Sequence, residues 1–221
     1  MTGGSARGWP GVSVFATIAA NLTEPALRLP YHCAILLGLI VSWAGLRAEA
    51  AVTFGVDLKG HPVSRLAEAS DRVVVLIFAA SDCPIANRYI PVIDQLHTEF
   101  GSKGAHFWWV FPNPDDTAAI VLKHNHDFSI HEDSLLDTKQ TLVRMAHARI
   151  TPEAAVFVVR AGGLSEVYHG RIDDRYISLG QERPRPQRDD LEQAIAAALA
   201  GKAVQGPGGP AVGCSIEFLQ P

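Results

Sequence analysis

Two cysteines downstream of residue 50, Cys83 and Cys214, are the residues with the clearest chemical potential. Cys83 follows an apolar, strand-like run and precedes Pro84, which suits the first turn of a helix because its missing N–H has no partner there. A helix N-terminus offers free N–H groups and the positive end of the macrodipole, and both favour a thiolate. The position therefore predicts a nucleophilic thiol; the alternative is a buried, inert cysteine that fills core.

Strand-like and helix-like segments alternate after residue 50, which predicts an α/β domain. Residues 73–79 (VVVLIFA) suit a central strand buried on both faces, and residues 84–100 carry apolar side chains at helical spacing. The other expected elements, in chain order, are a strand at 105–111, a helix from Asp115 to His124, a helix from Asp137 or Thr138 to Ala148, a strand at 154–159 with a hairpin partner at 164–169, and a helix from Asp189 to Gly201.

Three local motifs resemble the thioredoxin-like superfamily. Residues 78–84 (FAASDCP) are similar to its strand-to-active-site turn, and Pro91 falls where that family kinks the following helix. The tripeptide Ile150-Thr151-Pro152 resembles the family's cis-proline turn, which packs beside the active cysteine. The resemblance implies a central mixed β-sheet flanked by helices, a cis Thr151–Pro152 bond, and both of these residues next to Cys83.

Within that superfamily the chain is similar to the peroxiredoxin-like branch, the redoxins grouped with alkyl hydroperoxide reductase and thiol-specific antioxidant proteins. Residues 54–68 (FGVDLKGHPVSRLAE) resemble the first hairpin of that branch. Residues 151–157 (TPEAAVF) and 167–176 (VYHGRIDDRY) resemble it more closely still. The branch implies that Cys83 attacks a peroxide or a disulfide, that an external thiol is the reductant, and that no cofactor takes part.

The sequence departs from the family pattern at the positions that assist the chemistry. Peroxiredoxins carry P-x-x-x-T-x-x-C, whereas Leu76 and Ala80 stand at the Pro and Thr positions here. Thioredoxins carry C-x-x-C, whereas Ala86 stands at the second cysteine position. Asp82 is expected to oppose a thiolate at Cys83. These departures weaken the case for peroxide reduction and remove the local resolving thiol.

Cys214 is the candidate for that missing thiol. It follows residues 202–213 (KAVQGPGGPAVG), a Gly- and Pro-rich run that predicts a flexible tether. The tether reaches at most about 45 Å from the last helix, and a domain of this size has a radius of gyration of about 15 Å. Cys83 is therefore within range. Three outcomes stay open: Cys214 resolves an intermediate on Cys83, a static disulfide pins the tail, or Cys214 is a dangling thiol.

Charged side chains near the motifs are further candidates. Arg149 directly precedes the Ile150-Thr151-Pro152 turn, so its guanidinium is placed to stabilise a thiolate or sulfenate. The alternative is a helix C-terminal arginine that complements the helix dipole. Arg88, early in the helix after Cys83, is a weaker candidate for the same role.

Other classes of function find little support in the composition. The formal net charge is −4, and the absence of a basic patch argues against nucleic acid or an anionic membrane surface as partner. His124, His126 and His131 have the spacing H-x-H-x4-H, but structural metal sites normally show four well-spaced ligands. We expect solvated histidines there, with neither a metal nor a cofactor.

The first fifty residues do not fit a globular domain. Residues 33–45 (CAILLGLIVSWAG) form a short apolar run, and Ala48-Glu49-Ala50 follows as an A-x-A site, a pattern typical of a secretory signal peptide. We expect a leader at 1–50, a thioredoxin-like (redoxin) domain at 51–201, and a flexible tail at 202–221. The protein is then periplasmic or secreted; an uncleaved membrane anchor and a cytosolic protein are the alternatives.

The leading hypothesis is an exported thiol oxidoreductase with antioxidant-type chemistry. Its candidate site residues are Cys83, Cys214, Arg149, Thr151 and Pro152. Cys83 attacks a peroxide or disulfide, and Cys214 or an external thiol resolves the product. The rival hypothesis is a redox-silent thioredoxin-fold protein that binds a partner, or assists metal-centre assembly, through the same groove. Thiol reactivity separates the two.

Overall fold

The structure is a computed structural model that describes residues 52–206 and 208–219, so the expected leader and its cleavage site lie outside the described residues. The strands and helices, in chain order, are β1 (Gly55–Asp57), β2 (Pro62–Val63), β3 (Val73–Phe78), α1 (Pro84–Phe100), β4 (Ala105–Phe111), α2 (Ala118–Phe128), β5 (Asp133–Leu136), α3 (Thr141–Met145), β6 (Ile150–Thr151), β7 (Glu153–Arg160), β8 (Gly163–Gly170), β9 (Tyr176–Ser178), β10 (Gln181–Glu182), α4 (Asp190–Leu199) and β11 (Cys214–Ser215). Among these helices, none has the length and apolar character needed to cross a bilayer.

Seven strands form the central sheet, in the order β2-β1-β5-β4-β3-β7-β8. The β3–β4 and β4–β5 pairs are parallel, whereas β7 pairs antiparallel with both β3 and β8. The predicted α/β class with a mixed sheet is therefore confirmed. Two short antiparallel pairs, β9 with β10 and β6 with β11, lie outside this sheet.

Strand β3 is the centre of the hydrophobic core, and all six of its residues are fully buried. Alternate residues point to opposite faces of the sheet. Val73, Val75 and Ile77 pack in one cluster with apolar residues of α1 and α4. Val74, Leu76 and Phe78 pack in a second cluster with residues of α3 and with Ile216. Burial on both faces explains the continuous apolar run of this strand.

Helix α1 begins where the sequence predicts, directly after Cys83, with Pro84 in its first turn. Its buried stripe lies on the face toward the sheet and consists of Ala86, Tyr89, Ile90, Ile93, Leu96 and Phe100. Pro91 lies inside the helix, and Gly101 follows its last residue. The connection from β3 to α1 thus fixes Cys83 near the carboxyl end of the central strand.

Helix α2 starts three residues later than the sequence predicts. Its cap is Thr117, whose hydroxyl accepts the N–H of Ile120 at 3.3 Å, and the helix begins at Ala118 and not at Asp115. Asp116 does not face the helix dipole, because its side chain is buried and turns toward Ser81. Asp116 therefore serves the neighbouring turn and not the helix.

The tail differs from the predicted flexible tether. The strand Cys214–Ser215 pairs antiparallel with Ile150–Thr151, and Ile216 is 3 % exposed within the second core cluster. Pairing with a distant segment, together with one buried side chain, seats this part of the chain on the domain. We call residues 213–219 the C-terminal strap.

Candidate active site

Cys83 is the residue that caps α1, with extended backbone angles of φ −79° and ψ 109°. Its side chain makes no capping hydrogen bond to the helix, although its carbonyl accepts the N–H of Asn87 at 3.0 Å. The thiol therefore lies at a helix end whose first N–H groups it does not use, where the dipole favours a negative charge. The side chain is fully buried.

Thr151 and Pro152 lie beside Cys83, in the arrangement that the resemblance implies. The peptide bond between them is cis, and the Cys83 thiol donates a hydrogen bond to the Thr151 carbonyl oxygen over 3.1 Å. A thiolate has no proton to donate to this carbonyl. The contact is therefore one that a thiol makes and a thiolate would lose.

Cys214 is brought to the same place by the β6–β11 pairing, in which it lies opposite Thr151. Thr151 accepts the hydrogen bond of the Cys83 thiol through its carbonyl and donates its hydroxyl to the Cys214 carbonyl, so both cysteines contact the same residue, and both are free. Burial, followed by the contact with Cys83, raises the pKa of Cys214 to about 12. Cys214 is therefore not dangling: it is a free thiol that lies on the strand paired with the turn beside Cys83.

The C-terminal strap holds Cys214 in place through both backbone and side-chain contacts. Beyond β11, the N–H of Ile216 donates to the Arg149 carbonyl at 2.9 Å, and the Gln140 amide bonds both Glu217 and Leu219. Burial of the Ile216 side chain contributes about 1.5–3 kcal/mol. A Cβ at Gly213 would overlap the Thr151 carbonyl, so this close approach requires glycine.

Glu153 supports the turn that carries Thr151 and Pro152. Its buried carboxylate accepts the N–H groups of Arg149 and Ile150 at 2.8 and 3.2 Å, and it lies 3.0 Å from the ring of His169. Burial alone would raise the pKa of Glu153, but the His169 and backbone contacts outweigh it and hold this pKa below its usual value. Glu153 is not among the site residues that the sequence predicts, although a charged residue at the start of an apolar strand is the signal that could have found it.

A second polar group supports the turn before Cys83. The Asp116 carboxylate accepts the N–H and the hydroxyl of Ser81 at 3.1 and 2.5 Å. Asn87 donates to the Ser81 carbonyl at 3.2 Å, and its own amide oxygen lies 2.8 Å from His124. Burial, together with the charge of Asp82, raises the pKa of Asp116. This network fixes the backbone that leads into Cys83.

The predicted role of Arg149 finds no contact to support it. Its side chain is exposed, and its guanidinium makes no ion pair or hydrogen bond within the part of the chain that the structure describes. The helix-terminal alternative also fails, because α3 ends at Met145. Arg88 is exposed too, and it binds both oxygens of Glu182 at 2.9 Å. The structure therefore brings neither guanidinium to Cys83.

The three histidines considered for a metal site differ in burial and in their contacts. His124 is buried and hydrogen-bonded to Asn87, and burial lowers its pKa; it is not the solvated histidine that we expected. His126 and His131 are exposed. Over residues 52–206 and 208–219, no group of three or more His, Cys, Asp or Glu side chains has an arrangement that would hold a metal ion.

The positions that depart from the family pattern are all in the core. Leu76 is fully buried, and Ala80 and Ala86 are each 1 % exposed. Apolar packing thus replaces the hydroxyl and the second thiol that these positions carry elsewhere. The second thiol at Cys83 comes from the strap instead.

The fold and this pair of thiols define a thioredoxin-like protein of the thiol oxidoreductase class. The model of the AhpC/TSA family matches residues 48–165, more than half of the chain, and the chain belongs to that family. No curated protein matches the chain at a significant level.

Two of the solved structures that resemble this chain share its fold at low sequence identity, and a third is a more distant likeness. An uncharacterized conserved protein from Geobacillus kaustophilus is 22% identical with a TM-score of 0.60, covering 76% of this chain and 90% of its own. A hypothetical protein from Sinorhizobium meliloti 1021 is 23% identical with a TM-score of 0.61, covering 76% and 92%. A thioredoxin-family thiol:disulfide interchange protein from Chlorobium tepidum TLS is 19% identical with a TM-score of 0.45, covering 71% and 99%.

Proposed function

We propose that this chain is an exported thiol oxidoreductase in which Cys83 attacks a peroxide or a disulfide and Cys214 resolves the product. The observation that carries the proposal is the β6–β11 pairing, which seats the Cys214 thiol beside a cysteine at a helix N-terminus. Export is supported by the leader pattern of the sequence, with a periplasmic or secreted location.

With a peroxide, the Cys83 thiolate attacks one oxygen and the O–O bond breaks, which leaves a Cys83 sulfenic acid and an alcohol or water. The Cys214 thiol then attacks the Cys83 sulfur and passes its proton to the departing hydroxyl, so water leaves as the disulfide forms. With a disulfide substrate, Cys83 first forms a mixed disulfide, and Cys214 displaces the second substrate thiol. In both cases two external thiols return the protein to the reduced state.

The chain's own residues prepare this chemistry in three ways. The unused first turn of α1 favours negative charge on Cys83. The turn of Thr151 and Pro152, braced by Glu153, orients the Cys83 side chain through a hydrogen bond that the thiol must give up when it ionises. The strap delivers the resolving thiol to the spot where a sulfenate or mixed disulfide forms.

The rival function, a redox-silent binding or metal-centre assembly protein, also has an observation in its favour. Cys83 has no exposed surface, and its thiol is satisfied by the Thr151 carbonyl. A buried cysteine of this kind is unreactive unless the structure around it moves.

Mixing reduced protein with hydrogen peroxide, and separately with a small disulfide, in a stopped-flow instrument tests the proposal. We expect loss of two thiols and formation of a Cys83–Cys214 disulfide, with a trapped sulfenate in Cys214→Ser and no reaction in Cys83→Ser. Protein that consumes neither oxidant and labels at Cys83 no faster than the unfolded chain supports the rival function. The relative rates with the two oxidants identify the substrate class.

A further inference from the structure

A cavity of about 480 Å³ lies at the opposite end of β3 from Cys83. Its walls come from the residues that precede β3, the last residues of β7, one residue of β8, and the end of α4 with the chain that follows it. Cavities that hold small molecules in proteins have volumes of about 300–1,000 Å³. The proposed thiol chemistry uses none of these residues, so the cavity needs an explanation of its own.

The floor of the cavity is apolar. Val158, Val167 and Val204 pack against the first core cluster but are only half-buried, and all three line the cavity. Helix α4 ends at Leu199, and Gly201 then turns the chain with a positive φ of 67°. Because the helix stops there, the valines keep an apolar surface on which the hydrocarbon part of a ligand can lie.

Three cationic side chains from distant parts of the sequence line the same cavity: Arg72, Arg160 and Lys202. The Val159 N–H donates to the Arg72 carbonyl at 2.9 Å, which places Arg72 beside the end of β7 that carries Arg160. The Arg72 guanidinium donates to the Leu199 carbonyl at 2.5 Å, so it is held at the end of α4. Over residues 52–206 and 208–219, the side chains of Arg160 and Lys202 make no ion pair or hydrogen bond.

One acid, Asp71, also lines the cavity, but its carboxylate is already bound. It accepts the N–H of Glu68 at 2.6 Å and lies 3.0 Å from the ring of His106. The hydrogen bond with Asp133, together with the charge of Asp71, raises the pKa of His106 and so favours a positive charge on this ring. The cavity therefore has an excess of positive charge.

We propose that this cavity binds a small amphipathic anion, an aliphatic carboxylate whose chain lies on the three valines and whose carboxylate contacts Arg160 and Lys202. A carboxylate accepts charge-assisted hydrogen bonds from guanidinium and ammonium groups, and Arg72 adds a third positive charge. An inorganic anion would leave the apolar floor unused, and an uncharged hydrocarbon would leave the cations without a partner. The site is remote from Cys83, so the inference goes beyond the proposed function and does not depend on it.

Isothermal titration calorimetry of the full chain with sodium octanoate tests the inference. Arg160→Gln and Lys202→Gln should each weaken octanoate binding about ten-fold, because each removes one charge-assisted contact. Arg185→Gln is the matched control, since Arg185 is exposed and does not line the cavity, and it should bind octanoate as the wild type does. Sodium butyrate, which has the same carboxylate and a shorter chain, should bind about ten-fold more weakly than octanoate.

The other outcomes overturn the inference in distinguishable ways. Absence of saturable octanoate binding shows that the cavity is not a site for this class of ligand. Equal weakening in Arg185→Gln shows that octanoate follows the overall charge and not the cavity. Equal affinities for butyrate and octanoate show that the valines take no part. Binding of the protein to phosphatidylglycerol vesicles, without binding of octanoate, shows that a lipid headgroup is the ligand and not a free carboxylate.

Discussion

The cis-proline turn (residues 149–153) and the C-terminal strap both lie against Cys83, yet they are held by different forces. The turn runs directly into β7, a central strand, and the buried Glu153 carboxylate binds two of its N–H groups. The strap has one buried side chain, that of Ile216, and a few backbone hydrogen bonds. The turn continues into a strand of the central sheet, whereas the strap pairs only with β6.

Because of this difference, we expect the strap to be more mobile than the cis-proline turn. Opening the turn would break the register of β7 with β3 and expose Glu153 and His169. Lifting the strap exposes Ile216 and breaks the backbone pairing of two strand residues, Cys214 and Ser215. Elements with few buried contacts open at the lowest free energy. The proposed oxidation chemistry would thus use a nucleophile on a rigid element and a resolving thiol on a segment that can detach.

The largest effect is expected from replacing Cys83, the residue against which both regions lie. Cys83→Ser should reduce the rate of oxidant consumption on the order of 10³-fold or more, since removal of a nucleophile acts on the whole catalytic unit. Cys214→Ser should spare the first oxidation and block disulfide formation. Stopped-flow rates with hydrogen peroxide, read beside thiol counts, measure both. Equal loss of the first step in the two variants would contradict the assigned order of attack.

The turn should respond strongly to loss of its carboxylate. Glu153→Gln leaves a half-buried histidine without its ion partner and weakens the hydrogen bonds to the turn, so we expect a loss of about 2–4 kcal/mol in the free energy of unfolding. Urea denaturation monitored by circular dichroism gives the value. Glu166→Gln, on the neighbouring strand β8, is the matched control and should change stability far less. Similar losses in the two variants would refute the special role of Glu153.

The strap should respond to a side chain at Gly213. Gly213→Ala places a Cβ on the Thr151 carbonyl, so the strap shifts or detaches at a cost of about 1–3 kcal/mol. Cys83 then becomes open to solvent, and its rate of iodoacetamide labelling should rise. Gly162→Ala is the control, because a Cβ there meets nothing within 4 Å. Unchanged Cys83 labelling in Gly213→Ala would mean that the strap is not what covers this thiol.

The parts of the site that lie close together in sequence were predictable. The apolar run of β3, the helical spacing of α1 and the cysteine between them are local patterns, and they place Cys83 at a helix N-terminus. The resemblance of Ile150-Thr151-Pro152 to a known turn added the second element. Local periodicity is a reliable guide where one strand is buried on both faces and one helix has a single buried stripe.

The parts that depend on distant partners were not predictable. Nothing in the Gly- and Pro-rich tail shows that Cys214 pairs with Thr151, because that pairing depends on a segment more than sixty residues away. Asp116 has the pattern of a helix N-terminus, but a hydroxyl at Ser81 competes for it. His124 is buried by Phe111 and Phe128 around it, which the sequence does not place together. Tertiary contacts decided each of these positions.

The smallest effect concerns pH and again separates the turn from the strap. The contact with Glu153 raises the pKa of His169 above its usual 6.5, whereas the pKa of Glu153 lies below its usual 4.5 because His169 and backbone contacts outweigh burial. A raised histidine pKa contributes stability that is complete below about 6.5 and is lost as pH rises through the folded value. A lowered glutamate pKa contributes stability that is complete above about 4.5 and is lost as pH falls through the folded value.

The two contributions overlap between pH values of about 4.5 and 6.5, so His169→Gln should destabilise the protein most in that window, by about 1 kcal/mol. The difference from wild type should shrink above the window, as His169 loses its proton, and below it, as Glu153 gains one. Urea denaturation at closely spaced pH values from 4 to 9 measures the difference, and His126→Gln, whose side chain is 89% exposed, should give a flat profile. If the turn, and not the strap, limits access to the thiol, the difference in Cys83 labelling rate between His169→Gln and wild type should also be greatest in this pH window. A difference that keeps growing above pH 7 would show that the ion pair with Glu153 does not hold the turn.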